Sequence, residues 1–468
     1  MKNPKQNDQR RLMMMNDPIP KVIFKMAIPT IIAFLINSIY SLADTYFVSD
    51  LGTQATAAVS VNSSLDQLIM MTGSLLAVGA NSFIARLLGK GDDRKASQVL
   101  STAFFLALGL SLTLTVCGSI FITPMVNLLG ATDTCRQYSI DYASYVLLAA
   151  PFMATSFVMN QCLRSEGSAT LSMIGMGFGG ILNCILDPFF INGLPAIGLP
   201  AMGVSGASLA TAISKFISFC ILIFPYITKK SLLRLSINNF RPTWEIIKEI
   251  VSIGSSSMFR SALAVVSAIL LNDLAGNISD SVLAGIGVSN KIMMFPFSII
   301  LGFGTGFQPV AGFNWGAKQY DRVKESYRFC SKVALIGSVA MAVALALGAD
   351  WIIRLFEDED PSLRELGALC IRLQCIALPI HAWVAVVNML CSGLGNAGGA
   401  LLLSTSRQGS CMLPILYPMA WLWGEYGVVS VQAVADVLTL ALAIPLIIHM
   451  IKKINKTKLM YESGAMTD

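Results

Sequence analysis

The chain has 468 residues, of which 54% are hydrophobic and 13% are charged, and its formal net charge is +6. Because soluble domains carry about 25% charged residues, this composition indicates an integral membrane protein whose main partner is the lipid bilayer. The basic residues form no stripe interleaved with aromatic side chains, so no nucleic-acid partner is expected. The ten cysteines stand singly, which argues against a zinc cluster or a disulfide framework.

The first twenty residues are polar and basic, and no small-residue cleavage site follows the next apolar stretch. We therefore expect an uncleaved first span rather than a signal peptide. A helix needs about 20 apolar residues to cross about 30 Å of hydrocarbon, and twelve stretches along the chain meet this requirement. They cover residues 22–48, 55–83, 98–123, 138–162, 168–191, 203–228, 246–272, 281–309, 329–353, 365–391, 398–421 and 427–450.

These stretches predict an all-α integral membrane protein with twelve transmembrane helices in two six-helix bundles. An internal repeat supports the division: Ala149-Ala150-Pro151 followed by Asn160 recurs as Ala377-Leu378-Pro379 followed by Asn388, 228 residues later. Because six is even, both halves enter the membrane the same way up, and a pseudo-two-fold axis along the membrane normal relates them. The predicted domains are a cytoplasmic tail 1–20, a first lobe 21–228, a cytoplasmic linker 229–245, a second lobe 246–451 and a cytoplasmic tail 452–468.

The orientation in the membrane follows from the 33 Lys and Arg residues. Most of them flank one end of the spans, including Arg164 after the fourth, and only Arg136, Arg354 and Arg364 flank the other end. Since loops rich in Lys and Arg stay in the cytoplasm, we expect both termini there. The protein is expected to be a multi-pass protein of the plasma (inner) membrane.

Carboxylates inside apolar spans are candidate functional groups, because an ionised side chain at membrane depth is costly. Asp44, Asp66 and Asp187 lie in the first, second and fifth stretches. Asn183 is one helical turn from Asp187 on the same face, and Thr211 of the sixth stretch is predicted at the same depth. Such hard oxygen groups can hold a proton or a small hard cation.

A structural interpretation competes with this one. Asp187 could simply pair with Lys215 on the sixth span, and the other acids could cap helix ends. At the repeat offset the residue matching Asp187 is Ile415, so the acidic cluster is predicted in the first half alone. The second half instead carries basic residues in its spans, to which the sequence assigns no role: Arg260, Lys291, Arg372 and Arg407.

Five segments of the chain form a recognisable set: Pro29, Ala43-Asp44-Thr45-Tyr46-Phe47-Val48, Asn183-Cys184-Ile185-Leu186-Asp187-Pro188, Gly203-Val204-Ser205-Gly206-Ala207 and Gln308-Pro309 with Gly312 and Asn314. Together they resemble the motifs of the multidrug and toxic compound extrusion (MATE) transporters, and within them the DinF-like branch. The resemblance covers residues 18–452 and implies an antiporter that exports amphipathic, often cationic compounds while H⁺ or Na⁺ moves inward.

The resemblance also implies roles for individual residues. It assigns the cation or proton site to Asp44, Asn183, Asp187 and Thr211. It assigns the drug contacts to Phe34, Asn37, Ser156, Asn160 and Met176. Pro29 is the implied hinge, since proline removes a backbone hydrogen bond and kinks a helix. No cofactor is expected beyond the coupling ion, the substrates are small amphipathic molecules, and the protein is expected to act as a monomer.

Three other functions are compatible with parts of the sequence. A major-facilitator antiporter also has two six-span halves, and Gly89-Lys90-Gly91-Asp92-Asp93-Arg94 weakly matches that family's loop. A flippase for lipid-linked precursors shares the broader fold and would carry an anionic cargo. An intramembrane enzyme would need a nucleophile and base within reach, but the two histidines, His381 and His449, fall on different spans, so no enzymatic activity is expected.

Overall fold

The computed structural model describes residues 4–49, 51–193, 200–354 and 361–463, and these residues are almost entirely helical, with no β-strand. The helices are α1 Pro4–Asn16, α2 Ile19–Ser49, α3 Thr53–Lys90, α4 Asp93–Ile120, α5 Ile122–Leu128, α6 Arg136–Ser165, α7 Ala169–Asn192, α8 Val204–Ile227, α9 Trp244–Ile278, α10 Asp280–Gly316, α11 Tyr320–Arg354, α12 Pro361–Gly393, α13 Ala397–Thr405 and α14 Met412–Glu462. A π-helical turn, Ser406–Ser410, joins α13 to α14.

The predicted fold class is confirmed. In the described residues, eleven helical runs are long and apolar enough to cross a membrane, and the last of them, Ala397–Glu462, is 66 residues long. This run contains two spans, because Gly424 within α14 has φ 53 and ψ −129 and interrupts the helix. The described part of the chain therefore forms twelve transmembrane helices, arranged as two six-helix bundles.

The internal repeat is visible in the backbone. Gly167 ends α6 and Gly395 follows α12, and both have φ of 79°. At each site the glycine N–H donates to the carbonyl three residues back, and the next N–H donates to the carbonyl five residues back. The ends of α3 and α10 repeat this pattern at Gly91 and Lys318. The same helix C-terminal motif thus closes equivalent spans in both lobes.

The sixth and twelfth spans begin with the same backbone conformation. Gly203 has φ 56 and ψ −128, and Gly424 has φ 53 and ψ −129. Three residues later, Gly206 and Gly427 approach a neighbouring backbone so closely that a Cβ would overlap a carbonyl oxygen. Only the first of these Gly-x-x-Gly segments stood out in the sequence, because the copies are 221 residues apart instead of 228.

The two lobes pack directly against each other along α3, which lies against α9 and α10 of the second lobe. A Cβ on Gly254 would overlap the backbone of Leu75, and a Cβ on Gly89 would overlap the carbonyl oxygen of Phe313. This glycine seam runs from the middle of α3 to its basic end. The lobes are therefore closed at the end that is predicted to face the cytoplasm.

The N-terminal segment, predicted as a polar tail, forms the helix α1 and contacts both lobes at this closed end. Arg11 forms an ion pair with Asp93 of the first lobe. Arg322 of the second lobe donates from Nη2 to the carbonyl oxygens of Met14, at 3.3 Å, and Asp17, at 2.9 Å. The α1 helix thus bridges the lobes where they meet.

A buried carboxyl lies beside α1, in the connection between α6 and α7. The Ser231 hydroxyl is 2.7 Å from both carboxylate oxygens of Glu166, the Leu232 N–H donates to Glu166 at 2.6 Å, and Arg10 is 4.0 Å away. Burial nevertheless outweighs these contacts and raises the pKa of Glu166 from 4.5 to about 7. Burial thus disfavours the ionised carboxylate, so Glu166 titrates near neutral pH in the folded protein.

A raised pKa makes folding stability depend on pH. The stabilisation is fully present below pH 4.5 and is lost as the pH rises through 7. We expect the unfolding temperature in detergent to fall between pH 5 and pH 8, and Glu166→Gln to remove most of that fall. Since one pKa unit corresponds to about 1.4 kcal/mol, the effect on the free energy of unfolding is of the order of 2–3 kcal/mol.

Scanning fluorimetry of the purified protein would measure this pH dependence. Glu245→Gln is the matched control, because Glu245 is 66% exposed and pairs with Lys95 at the same end of the molecule. A fall of equal size in the Glu166→Gln variant would contradict the assignment.

Candidate ion and substrate sites

Three of the four residues predicted to bind the cation lie together in the first lobe. Asn183 and Asp187 are one turn apart on α7, and Thr211 faces them from α8. Nδ2 of Asn183 donates to Oδ1 of Asp187 at 3.1 Å and to Oγ1 of Thr211 at 3.2 Å. Asp187 is fully buried and the other two are nearly so. The predicted depth match between α7 and α8 is thus present in the structure.

The fourth residue, Asp44 of α2, lies close enough to interact electrostatically with Asp187 and with Asp66. Lys215 of α8 also lies close enough to interact electrostatically with Asp44 and with Asp66. Its Nζ is 3.4 Å from the hydroxyl of Tyr40, and among the described ion pairs none joins Lys215 to Asp187. The structure therefore gives no support to a simple Lys215–Asp187 pair.

Several oxygens of this group are buried without a donor. In the described part of the chain, Oδ1 of Asp44, Oδ1 of Asp66, Oδ2 of Asp187 and Oδ1 of Asn183 have no hydrogen-bond partner. Buried polar atoms in native proteins are normally satisfied, and these are all acceptors. The residues fit a proton or a small cation such as Na⁺, which oxygen ligands suit. Among the described residues, no three His, Cys, Asp or Glu side chains are placed to share a metal ion.

A cavity of about 60 Å³ lies beside this ion site, within the first lobe. Four of the five predicted drug contacts, Asn37, Ser156, Asn160 and Met176, line it. Drug-sized ligands occupy pockets of about 300–1,000 Å³, so this first-lobe cavity must expand to hold one. The fifth residue, Phe34, instead lines a neighbouring interlobe cavity of about 70 Å³, together with residues of both lobes.

The hinge candidate, Pro29, lies inside α2, which remains helical from Ile19–Ser49. Because proline has no backbone N–H, the carbonyl of Lys25 lacks its usual helical donor. The α2 helix carries both Asn37, of the first-lobe cavity, and Asp44, of the ion site. A change in bend at Pro29 would therefore move both sites together.

Sequence reasoning placed Arg164 among the residues that flank the basic ends of the spans. The structure places it in the last turn of α6, where it is buried instead of exposed, at 1% relative exposure. Its Nε donates to the Ser172 hydroxyl at 2.9 Å, its Nη2 donates to Oδ1 of Asn160, and its guanidinium lies 5.5 Å from the Phe34 ring centroid. A buried guanidinium thus supports two predicted drug contacts, and nothing local in the sequence distinguished it from a loop arginine.

Sequence reasoning missed one acid in a span of the second lobe. Asp436 of α14 is 4% exposed, 2.7 Å from Nε of Arg407 and 3.6 Å from Nδ1 of His381. It lies within the predicted stretch 427–450, so the criterion that selected Asp44 would have found it too. His381 is packed against Phe297, at 5.1 Å between ring centroids.

Comparison with known proteins identifies the family. A family model described as MatE matches residues 29–189 and, separately, residues 256–417. The two matches begin 227 residues apart, which agrees with two homologous halves. The chain belongs to the MatE family. This membership confirms the resemblance to MATE transporters, and it decides against the major-facilitator and enzyme interpretations.

Curated relatives and solved structures cover nearly the whole chain. It is 28% identical to the multidrug export protein MepA of Staphylococcus haemolyticus, over 90% of this chain and 92% of the relative. It is 27% identical to MepA of Staphylococcus aureus strain NCTC 8325, over 93% and 94%. A MATE family multidrug resistance transporter solved in an outward-facing conformation superposes with a TM-score of 0.88, at 24% identity, covering 95% of this chain and 98% of that chain. This likeness shows that the MatE protein has the MATE fold.

Proposed function

We propose that this MatE protein is a secondary antiporter that exports amphipathic, often cationic compounds in exchange for inward H⁺ or Na⁺. The observation that carries the proposal is that the ion site and the first-lobe cavity share their helices. Asn37 and Asp44 lie on α2, Met176 and Asp187 on α7, and Thr211 and Lys215 on α8. A displacement of these helices at the ion site therefore alters the first-lobe cavity, and the reverse is also true.

The charge of the ion site explains why binding of the ion opposes binding of a cationic drug. With its carboxylates ionised, the site of Asp44, Asp66, Asp187 and Lys215 has a net charge of about −2, which attracts a cationic compound into the adjacent cavity. Binding of H⁺ or Na⁺ removes part of this charge and weakens the attraction. Coupling requires only that ion and drug favour different states. An inward ion gradient then drives the compound out.

The remaining assignments follow from the charge distribution and the fold. Both termini lie in the cytoplasm, because the basic residues gather at that end of the spans. The closed glycine seam then lies on the cytoplasmic side. Each chain contains its own ion site and cavity, so we propose that the monomer transports.

Dye efflux from proteoliposomes under separately imposed proton and sodium gradients tests the proposal and identifies the ion. We expect efflux of ethidium when one of the two gradients is imposed and none when both are absent. Efflux that requires ATP hydrolysis would exclude an antiporter. Lipid scrambling without dye transport would instead indicate the flippase alternative.

A further inference from the structure

The second lobe contains a larger cavity, which lies between α9, α10, α12, the π-helical turn and α14. Its volume is about 240 Å³. It adjoins a space of about 360 Å³ that shares Phe297, Arg407 and Gln408 with it. Together these spaces reach the volume that drug-sized ligands need. We refer to them as the second-lobe cavity.

The net charge of this cavity is positive, whereas the ion site of the first lobe is acidic. Its charged lining residues are Arg260, Arg407 and Asp436, with His381 beside them. Asp436 is already paired with Arg407 at 2.7 Å, while Arg260 donates from Nη2 to the Ser257 hydroxyl at 3.1 Å and makes no ion pair among the described residues. One positive charge is therefore left without a carboxylate.

The second-lobe cavity also contains a hydrogen-bond donor that is not used. Nη2 of Arg407 is buried without an acceptor in the described part of the chain. The π-helical turn Ser406–Ser410 carries Arg407, and such turns are frequent at functional sites. The Phe297 ring lies 4.7 Å from the Arg407 guanidinium and also contacts His381. Arg407 is thus held in place, with donor capacity that no protein group uses.

The cavities of the two lobes are connected through shared residues. Arg260 and Asn388 line both the second-lobe cavity and the interlobe cavity that contains Phe34. Phe157 lines both the interlobe cavity and the first-lobe cavity. A continuous series of cavities therefore leads from the first lobe, which holds the acidic ion site, to the basic second-lobe cavity, with aromatic side chains between them.

We propose that the second-lobe cavity binds the carboxylate of amphipathic acids and zwitterions, with Arg260 as its main partner. A carboxylate matches the planar guanidinium and can accept two parallel hydrogen bonds from it. It also supplies the negative charge that the low-dielectric cavity lacks. The inference extends the proposed export function, on which it rests, to substrates with a free acid group.

A matched pair of dyes tests the inference by binding alone. Rhodamine 110 has a free carboxylate, and rhodamine 123 is its methyl ester and a cation. We expect Arg260→Gln to weaken binding of rhodamine 110 to the purified protein about tenfold in fluorescence polarisation, while binding of rhodamine 123 changes less than twofold. Arg260→Lys should restore part of the loss, because it returns the charge without the planar guanidinium.

Two further variants control for indirect effects. Arg372→Gln removes an exposed arginine that pairs with Asp350 in the same lobe and should leave both dyes unaffected. The double variant Arg407→Gln with Asp436→Asn keeps the net charge and should weaken rhodamine 110 less than Arg260→Gln does. Intact protein that binds only rhodamine 123, or an Arg260→Gln variant that weakens both dyes equally or neither, would overturn the inference. Loss of ion-coupled efflux alone would overturn the export proposal and leave this result standing.

Discussion

Replacing Asp187 by asparagine is expected to reduce gradient-driven dye efflux at least tenfold, and Asp44→Asn is expected to do the same. Asparagine preserves the size and the Asn183 contact, but it can neither gain nor lose a proton and it binds a cation more weakly than a carboxylate does. If the two acids bind and release the coupling ion, either substitution uncouples transport from the ion gradient. Efflux from proteoliposomes under the gradient that drives the intact protein measures the loss.

A measurement of dye binding distinguishes a variant that is uncoupled from one that is misfolded. We expect both variants to bind the dye with an affinity that no longer changes with the coupling ion, whereas binding by the intact protein weakens as that ion is added. Asp133→Asn is the matched control, because Asp133 lies in a loop, is 88% exposed and pairs with Arg136 at the start of α6. If both variants transport at the rate of the intact protein, the site assignment is wrong.

Replacing Gly254 by alanine is expected to prevent closure of the cytoplasmic side and to reduce efflux at least tenfold. The new Cβ would overlap the backbone oxygen and carbon of Leu75, and the backbone inside a helix cannot move aside as a flexible side chain can. The closed seam between α3 and α9 would therefore be lost, while each lobe keeps its own core. The equilibrium should shift toward states that are open to the cytoplasm.

Labelling of an introduced cysteine reports this shift directly. Thr305→Cys, in a chain whose native cysteines are replaced by alanine or serine, places a thiol in the interlobe cavity. A membrane-impermeant maleimide added to the cytoplasmic side should label it faster in the Gly254→Ala variant. Gly337→Ala is the control, because a Cβ there has no neighbour within 4 Å. Equal labelling and full transport in both variants would show that the seam does not gate access.

The number of spans and the duplication could be predicted because both are local properties of the chain. Bilayer thickness fixes the length of an apolar stretch, and a repeat is readable at a fixed offset. The grouping of Asn183, Asp187 and Thr211 was also predictable, since helical rise and periodicity place residues at a depth and on a face. Asp44 could be added to this group because a carboxylate at membrane depth is costly unless polar groups or an ion surround it.

Other parts of the site depend on packing between distant segments. The contact of Arg164 with Phe34, the contact of Asp436 with Arg407 and the docking of α1 join residues whose spacing carries no periodic signal. Phe34 was expected beside the other drug contacts and lies in the interlobe cavity, because the position of α2 relative to α10 decides which cavity its side chain enters.

The sequence by itself determined that the chain is a duplicated, twelve-span membrane protein with acids buried in its first half, because hydrophobic length and the cost of buried charge act residue by residue. The tertiary structure decided which groups meet: that Arg407 and His381 of the second half lie against one buried carboxylate, Asp436, and that glycines close the lobes at one end. Those features depend on the approach of helices far apart in the chain, and the approach distance is set by all the side chains between them.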